Sequence, residues 1–292
     1  MSAKNVKKAR KEKKLNESNT ERAERWSKTT DFNLMKPFGP DMGNFQVPSE
    51  VLDRLLKLTD KVLEDEKRID WGHNLVGNVK EEPWVSNEAL KEAGLYEYLQ
   101  AMLYNYVWNS LTRSGHELEK LSVHLDHMWI VSQYAGEYNP IHFHTYCDIS
   151  SVIYLKVPEF EDRLKTKKLP EYKTQRDGMI EFVYKTACPT GMEKGSISFM
   201  PQEGQLVVFP SNLLHTVYPF QGKEERRSVA FNSHWNAQLK NGKMFDKSFR
   251  QPIDQLNPEY QKSLRTKDEI SGFADRKQRS LDSGDSEAKD ES

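Results

Sequence analysis

The stretch YAGEYNPIHFHTYCDIS, residues 134–150, holds the pattern on which the predicted fold and site depend. It places His142 and His144 two residues apart, in a run whose residue types are typical of a β-strand. Side chains alternate between the two faces of a strand, so both imidazoles point one way and Phe143 points the other way. Two imidazoles on one face are a good start for a metal site, and a third ligand must come from elsewhere.

Short runs rich in valine, isoleucine, phenylalanine, tyrosine and serine surround this stretch, and turn residues separate them. Seven or more such runs lie between residues 122 and 235. Two segments with apolar residues at helical spacing, 47–68 and 86–111, precede them, and Ser49 is a candidate N-cap of the first. Strands that follow helices in this order predict a mainly β fold with flanking helices, a barrel or sandwich.

The two ends of the chain differ in composition from its middle. Apolar residues concentrate between about Phe45 and Trp235, whereas the N-terminal end is basic and the C-terminal end is polar and acidic. A charged stretch at 159–178 is interpreted as a surface insertion between strands. We predict four parts in chain order: a disordered basic arm (1–40), a helical buttress (41–118), a β core (119–240) and a polar, largely disordered tail (241–292).

Composition argues against several classes of protein. The chain has 292 residues, with 43 Lys and Arg against 44 Asp and Glu, so its charge gives no case for nucleic acid binding. No apolar run approaches the ~18 residues of a membrane span. Two cysteines, Cys147 and Cys188, make no disulfide framework. They fit a reducing compartment, so we expect a cytoplasmic protein.

The third ligand and a cationic partner are offered by two later segments. The segment GQLVVFPSNLLHTVYPF, residues 204–220, brings His215 after an apolar strand and a Pro-Ser turn. In RRSVAFN, Arg226 and Ser228 share one strand face and Arg227 takes the other. Each residue alone is weak. The order of the three patterns along the chain is the signal that they form one site.

These segments resemble those of the Fe(II)- and 2-oxoglutarate-dependent oxygenases. The similarity is closest to the prolyl-hydroxylase-like branch and to oxygenases common in phages and marine bacteria. It covers roughly residues 120–236 and, more weakly, LVGNVKEEPWV at 75–85. The resemblance implies a double-stranded β-helix, or jelly roll, with Fe(II) at its open end and 2-oxoglutarate as cosubstrate. It also implies a dioxygenase that uses O2 to hydroxylate an unidentified small-molecule or peptide substrate, with release of succinate and CO2.

The resemblance also assigns roles to single residues. The family's first iron ligand falls on His142 and its distal histidine on His215, while His144 stands where the family normally has Asp or Glu. The arginine that pairs with the C5 carboxylate of 2-oxoglutarate falls on Arg226, and the small hydroxyl falls on Ser228. Two residues match the tyrosine that touches the cosubstrate, and the sequence does not choose between them: Tyr134 and Tyr138.

The departure at His144 leaves alternatives open. Asp148 shares a face with the two histidines if the strand is straight, so it is either a displaced carboxylate ligand or a simple acidic surface residue. Glu137 in the turn is a second candidate carboxylate. A literal His-x-Asp at His124 and Asp126 lies one strand too early, and we interpret it as polar positions on a strand face. Two other functions also stay open. One is a three-His cupin-like metal protein without 2-oxoglutarate, and the other is a non-catalytic jelly-roll binding module.

Overall fold

Two antiparallel sheets and three α-helices make up the parts of the chain that the computed structural model describes, residues 39–159, 176–185 and 195–247. The helices are α1 (Ser49–Glu64), α2 (Asn87–Glu92) and α3 (Tyr96–Arg113). The strands are β1 (Gly43–Gln46), β2 (Trp84–Val85), β3 (Leu118–Gln133), β4 (Asn139–His142), β5 (Ile149–Lys156), β6 (Ile180–Val183), β7 (Ser196–Phe199), β8 (Gln205–Pro210), β9 (Leu214–Val217) and β10 (Arg226–Leu239). The larger sheet has the order β1-β8-β5-β10-β3-β2, and the smaller has the order β4-β9-β6-β7.

The two sheets pack face to face, as in a jelly roll. Phe182 of β6 meets Phe209 of β8 edge-on, with ring centroids 4.8 Å apart. These rings belong to an apolar cluster that draws buried residues from both sheets. The other face of the larger sheet packs on the helices in a second, larger cluster. The prediction of a mainly β, double-stranded β-helix with flanking helices is therefore confirmed.

The helices differ in detail from the sequence prediction. The prediction that Ser49 caps the first helix is wrong, because Pro48 occupies the N-cap and Ser49 is the first helical residue. The segment 86–111 was predicted as one helical region and folds as α2 followed by α3. Gly94, with φ +67°, lies between them in a conformation that glycine tolerates and that ends a helix. The hydroxyl oxygen of Ser86 caps α2.

Arg227 fastens α1 to the larger sheet. Its guanidinium donates to Thr59 Oγ1 at 3.1 Å and to Asp60 Oδ1 at 2.5 Å, and it also contacts Glu225. Because strand side chains alternate, Arg226 then points to the opposite face, toward the smaller sheet. Two adjacent arginines on β10 therefore have separate surroundings.

Several predicted parts lie outside the described residues. These are most of the basic arm (1–40), most of the charged stretch at 159–178, and the tail beyond residue 247. The four-part division of the chain stays a prediction. In the segments that are described, no helix has both the length and the apolar character that crossing a membrane requires.

Candidate metal centre

Three histidines converge where β4 and β9 pair. The antiparallel register sets His142 directly opposite His215. His144 follows the end of β4, and its backbone N–H donates to the Ser211 carbonyl at 2.8 Å. One ligand atom from each imidazole lies within 4.8 Å of the other two, and no other such group of three metal-binding side chains occurs in the described segments. Strand register and one backbone hydrogen bond therefore bring His142 and His144 to His215, which lies 71 or more positions further along the chain.

Hydrogen bonds orient two of the rings. His142 Nδ1 lies 2.7 Å from the Pro140 carbonyl oxygen, and His215 Nδ1 lies 2.9 Å from that of Leu213. Each Nδ1–H donates there, which leaves Nε2 with a free lone pair. His144 Nε2 and His215 Nε2 are 3.3 Å apart. Two nitrogens bound at right angles to one ion are about 3.0 Å apart, so this spacing suits a shared metal.

Burial keeps the three imidazoles neutral. Desolvation lowers the pKa of His144 to about 3, with a smaller contribution from His142. It holds the pKa of His215 well below 6.5 and lowers the pKa of His142. The ring of Trp129 stacks on that of His144 at 5.8 Å between centroids, which restricts its orientation. All three side chains are in the form that binds a metal at neutral pH.

The histidines line a cavity of about 800 Å³. This volume is typical of sites for small molecules. Alternate residues of the larger sheet point into it, as the period of a strand requires. They are Ser150, Val152 and Tyr154 of β5, and Arg226, Ser228, Ala230 and Asn232 of β10.

Arg226 is a buried cation in this cavity without an acidic partner among the described residues. It is 1% exposed, and its Nη1 donates to Gln133 Oε1 at 2.9 Å. Its Nε has no hydrogen-bond acceptor in the described segments. The buried hydroxyl of Tyr154 has no hydrogen-bond partner there either. The guanidinium carbon lies 5.2 Å from the centre of the Tyr154 ring. Buried donors without acceptors are costly, so this pair suits an anion with two oxygens.

The two tyrosines predicted from the sequence are not brought to the cavity. Tyr134 is 45% exposed and Tyr138 is 40% exposed, and neither side chain lines the cavity. The hydroxyl beside Arg226 comes from Tyr154, which the sequence pattern did not single out. Tyr154 lies on the same face of β5 as Ser150, and strand alternation could have grouped the two residues. Alternation does not say which face of β5 meets the cavity, so it could not identify Tyr154 as a site residue.

The two candidate carboxylates have other partners. Asp148 is 3% exposed, and its Oδ2 accepts from Lys247 Nζ at 2.8 Å and from the Trp235 backbone N–H at 2.9 Å. Glu137 Oε2 accepts from the Tyr134 backbone N–H at 2.9 Å, which closes the glycine turn. Neither carboxylate belongs to the three-histidine group.

The literal His-x-Asp pattern occupies a strand, as interpreted from the sequence. Asp126 on β3 pairs with His234 on β10, with Oδ2 and Nδ1 2.5 Å apart. His124 lies opposite the same His234 in the register of the two strands. These side chains form a polar cross-strand group and are not part of the three-histidine group.

Replacing Asp148 with asparagine is expected to lower the free energy of unfolding by roughly 3–5 kcal/mol and to leave Fe(II) affinity unchanged. The cost arises because Lys247, itself 8% exposed, would lose its buried ionic partner. Denaturant unfolding and metal titration of the folded variant check the two parts. Weaker metal binding by the folded variant would identify Asp148 as a ligand.

A glutamate is buried against the same cavity. Glu82 is 2% exposed, and its Oε2 has no hydrogen-bond partner in the described segments. Desolvation raises its pKa to about 7, and the negative charges of Asp70 and Glu137 add to the rise. Nothing in the sequence distinguishes Glu82 from Glu81, so the pattern did not predict it.

Replacing Glu82 with glutamine is expected to stabilise the fold at high pH. The pKa of Glu82 is about 7 in the folded state against 4.5 for an unperturbed carboxyl, so folding loses stability as pH rises through 7. Each unit of difference corresponds to about 1.4 kcal/mol, which gives a gain of up to about 3 kcal/mol at about pH 8. Below pH 4.5 both proteins should be equally stable. Unfolding at several pH values measures this, and a gain independent of pH would contradict it.

The core of the chain matches one protein family. Residues 127–232 match the family described as "Putative 2OG-Fe(II) oxygenase". This confirms the resemblance to the Fe(II)- and 2-oxoglutarate-dependent oxygenases, and the predicted cofactors are those of the matching family. No curated protein sequence matches the chain.

Several solved structures are similar to the chain at low identity. A Pseudomonas putida prolyl-4-hydroxylase is 15% identical, with a TM-score of 0.40 over 66% of this chain and 92% of that chain. An oxidoreductase of the 2OG-Fe(II) oxygenase family from Burkholderia pseudomallei is 16% identical, with a TM-score of 0.40 over 66% and 84%. HygX from Streptomyces hygroscopicus, solved with nickel and 2-oxoglutarate, is 10% identical, with a TM-score of 0.39 over 67% and 82%.

Proposed function

We propose that this chain, a relative of the 2OG-Fe(II) oxygenases over residues 127–232, is a dioxygenase that hydroxylates a small-molecule or peptide substrate. Its cofactor would be Fe(II) and its cosubstrate 2-oxoglutarate, with succinate and CO2 as products. One observation carries the proposal. Three converging neutral imidazoles and a buried guanidinium without an acidic partner among the described residues line a single cavity. The first set suits a divalent metal and the second suits a carboxylate.

His142, His144 and His215 would hold the iron through Nε2. Neutral nitrogen donors suit Fe(II), and the Nδ1 hydrogen bonds of His142 and His215 fix the rings for binding. A third imidazole in place of a carboxylate leaves both charges of the ion uncompensated by the protein. The two carboxylates of 2-oxoglutarate would then offset part of the positive charge of the ion and of Arg226, so we expect metal and cosubstrate to strengthen each other's binding.

Arg226 and Tyr154 would bind the distal carboxylate of 2-oxoglutarate. The Nε of Arg226 and the Tyr154 hydroxyl are the buried donors without acceptors, and the bond to Gln133 holds the guanidinium in place. Ser228 lines the cavity two residues along the same strand face and would add a short hydroxyl donor. A charge-assisted, forked contact of this kind fixes both the position and the orientation of the bound carboxylate.

The protein's part in the reaction is orientation and exclusion of water. Iron held by the three histidines would couple the decarboxylation of 2-oxoglutarate to O2, with one oxygen atom going to succinate and the other to the substrate. Val131, Val152 and Phe209 give the cavity apolar walls around the cosubstrate. Ile141, Phe143 and Tyr146 are exposed and also line the cavity, so they form an apolar rim for the substrate.

Succinate release tests the proposed function. The full chain is incubated in air with Fe(II) and 2-oxoglutarate, first alone and then with a panel of peptides and metabolites. We expect slow succinate formation that requires both additions and that a true substrate accelerates. Metal binding that is indifferent to 2-oxoglutarate would instead support the three-His cupin-like protein. Absence of metal binding would support a non-catalytic module.

The cupin-like alternative explains fewer of the observations. It accounts for the three histidines but gives no anion to the Arg226 guanidinium or the Tyr154 hydroxyl. The oxygenase assigns a ligand to both groups.

A further inference from the structure

Charged side chains are scarce on the cavity wall. Among its lining residues in the described segments, Arg226 supplies the positive charge and Glu82 supplies the negative charge. The proposed function already uses Arg226 for the distal carboxylate of 2-oxoglutarate, and it leaves Glu82 without a role. Glu82 is 2% exposed, so water does not solvate its charge, and a buried charge is costly unless a partner meets it.

The surroundings of Glu82 oppose its negative charge. Its Oε2 has no hydrogen-bond partner in the described segments. The charged groups that act on its pKa are Asp70 and Glu137, which are both acidic. Their carboxylates are fixed by the backbone N–H groups of Gly72 and Tyr134, at 3.1 and 2.9 Å. Desolvation, with the repulsion of these two carboxylates, raises the pKa of Glu82 to about 7.

Aromatic rings lie along the cavity wall between Trp71, whose backbone pairs with that of Glu82, and the metal ligands. The Trp71 backbone N–H donates to the Glu82 carbonyl at 2.9 Å, and the Trp71 ring lies 5.2 Å from that of His127. Trp129 lies two residues along β3 from His127 and stacks on His144. Trp71, His127 and Trp129 all line the cavity. Because the faces of tryptophan rings attract cations, this wall favours a positive group beside Glu82.

We propose that the substrate carries a positively charged nitrogen group, an ammonium or a guanidinium, that binds the Glu82 carboxylate beside the Trp71 ring. The inference rests on the proposed function, since the cation would orient the remainder of the substrate toward the three histidines. Such a group supplies a donor to the Glu82 carboxylate and offsets its repulsion from Asp70 and Glu137.

Glu82 also packs beneath the turn that follows Trp71. A side-chain carbon added at Gly72 would lie 3.5 Å from Glu82 Oε2, and one added at Gly77 would lie 3.3 Å from Oε1. Packing alone would make Glu82 a positioning residue for this turn. Glutamine has nearly the same shape without the charge, so Glu82→Gln separates the two roles.

The test compares two probes of one shape, n-butylguanidinium, which is a cation, and n-butylurea, which is neutral. Each is titrated by calorimetry into the full chain loaded with Fe(II) and 2-oxoglutarate under nitrogen. We expect the cation to bind about tenfold or more tightly than the urea, the gain of one charge-assisted hydrogen bond. The preference should disappear in Glu82→Gln. It should persist in Glu81→Gln, the matched control, whose carboxylate pairs with Arg68 at 3.4 Å outside the cavity lining.

Three results would overturn the cation site: equal binding of both probes, no binding of either, or a preference that survives Glu82→Gln. Under the proposed function we expect a visible charge-transfer band when both Fe(II) and 2-oxoglutarate are bound, and absorption is recorded in every sample to detect it. A normal band without a cation preference refutes the substrate class and leaves the oxygenase standing. A missing band counts against the proposed function, and the cation preference still decides for or against the role of Glu82.

Discussion

Replacing His215 with alanine is expected to lower the affinity for Fe(II) by more than about 100-fold. Losing a residue that only orients a ligand costs roughly 10–100-fold, so losing a ligand should cost more. His215 is 5% exposed, and its Nε2 lies 3.3 Å from that of His144. A water molecule in place of this imidazole would be a weaker ligand, so metal affinity should fall. Anaerobic calorimetric titration of Fe(II) into the wild type and the variant measures the change in affinity.

His127→Ala is the matched control for His215→Ala. His127 lines the same cavity but does not belong to the three-histidine group, so its loss should leave Fe(II) affinity unchanged. Circular dichroism confirms that both variants are folded. If folded His215→Ala binds Fe(II) as the wild type does, the assignment of the three histidines as ligands is wrong.

Replacing Arg226 with alanine is expected to weaken 2-oxoglutarate binding by at least about 100-fold. Two charge-assisted hydrogen bonds are worth roughly 1.5–3 kcal/mol each, and about 1.4 kcal/mol corresponds to a factor of ten. Arg226→Lys keeps the charge and loses the forked geometry, so its affinity for 2-oxoglutarate should fall between those of the wild type and of Arg226→Ala. Titration of 2-oxoglutarate into the Fe(II)-loaded protein under nitrogen measures the constants. Fe(II) affinity without cosubstrate should stay unchanged, because Arg226 is not among the proposed ligands.

Arg227→Lys is the control for the Arg226 variants, because it changes the neighbouring arginine of β10. Arg227 contacts Asp60 and Glu225 on the opposite face of the strand, away from the cavity. Its conservative replacement should leave 2-oxoglutarate affinity unchanged. Equal losses in the Arg226 and Arg227 variants would mean that the distal carboxylate does not bind where we propose.

One local part of the site was predictable because it follows from the period of a strand. Arg226 and Ser228 line one cavity, as alternation along β10 requires. His142 and His144 line it too, but β4 ends at His142 and Phe143 also lines the cavity, so alternation does not account for that pair. Their meeting with His215 could not be derived from local pattern. It depends on the register of β4 against β9, which the folded chain sets over a long sequence separation.

The residues that the sequence pattern missed depend on three-dimensional surroundings. Tyr154 and Glu82 are ordinary residues of their segments, and burial without a hydrogen-bond partner in the described segments distinguishes them. Asp148 matched the face pattern of a ligand, but the ion pair with Lys247, almost a hundred positions away, assigns it to the fold. The break between α2 and α3 at Gly94 likewise depends on a single left-handed residue inside a continuous apolar pattern.

An anaerobic titration of the full chain with Fe(II) and 2-oxoglutarate, monitored by visible absorption, tests whether the three histidines and Arg226 form one site. We expect a charge-transfer band that needs both additions and that disappears in His215→Ala and in Arg226→Ala. A band that forms with Fe(II) alone, or the absence of any band while both bind, would contradict it.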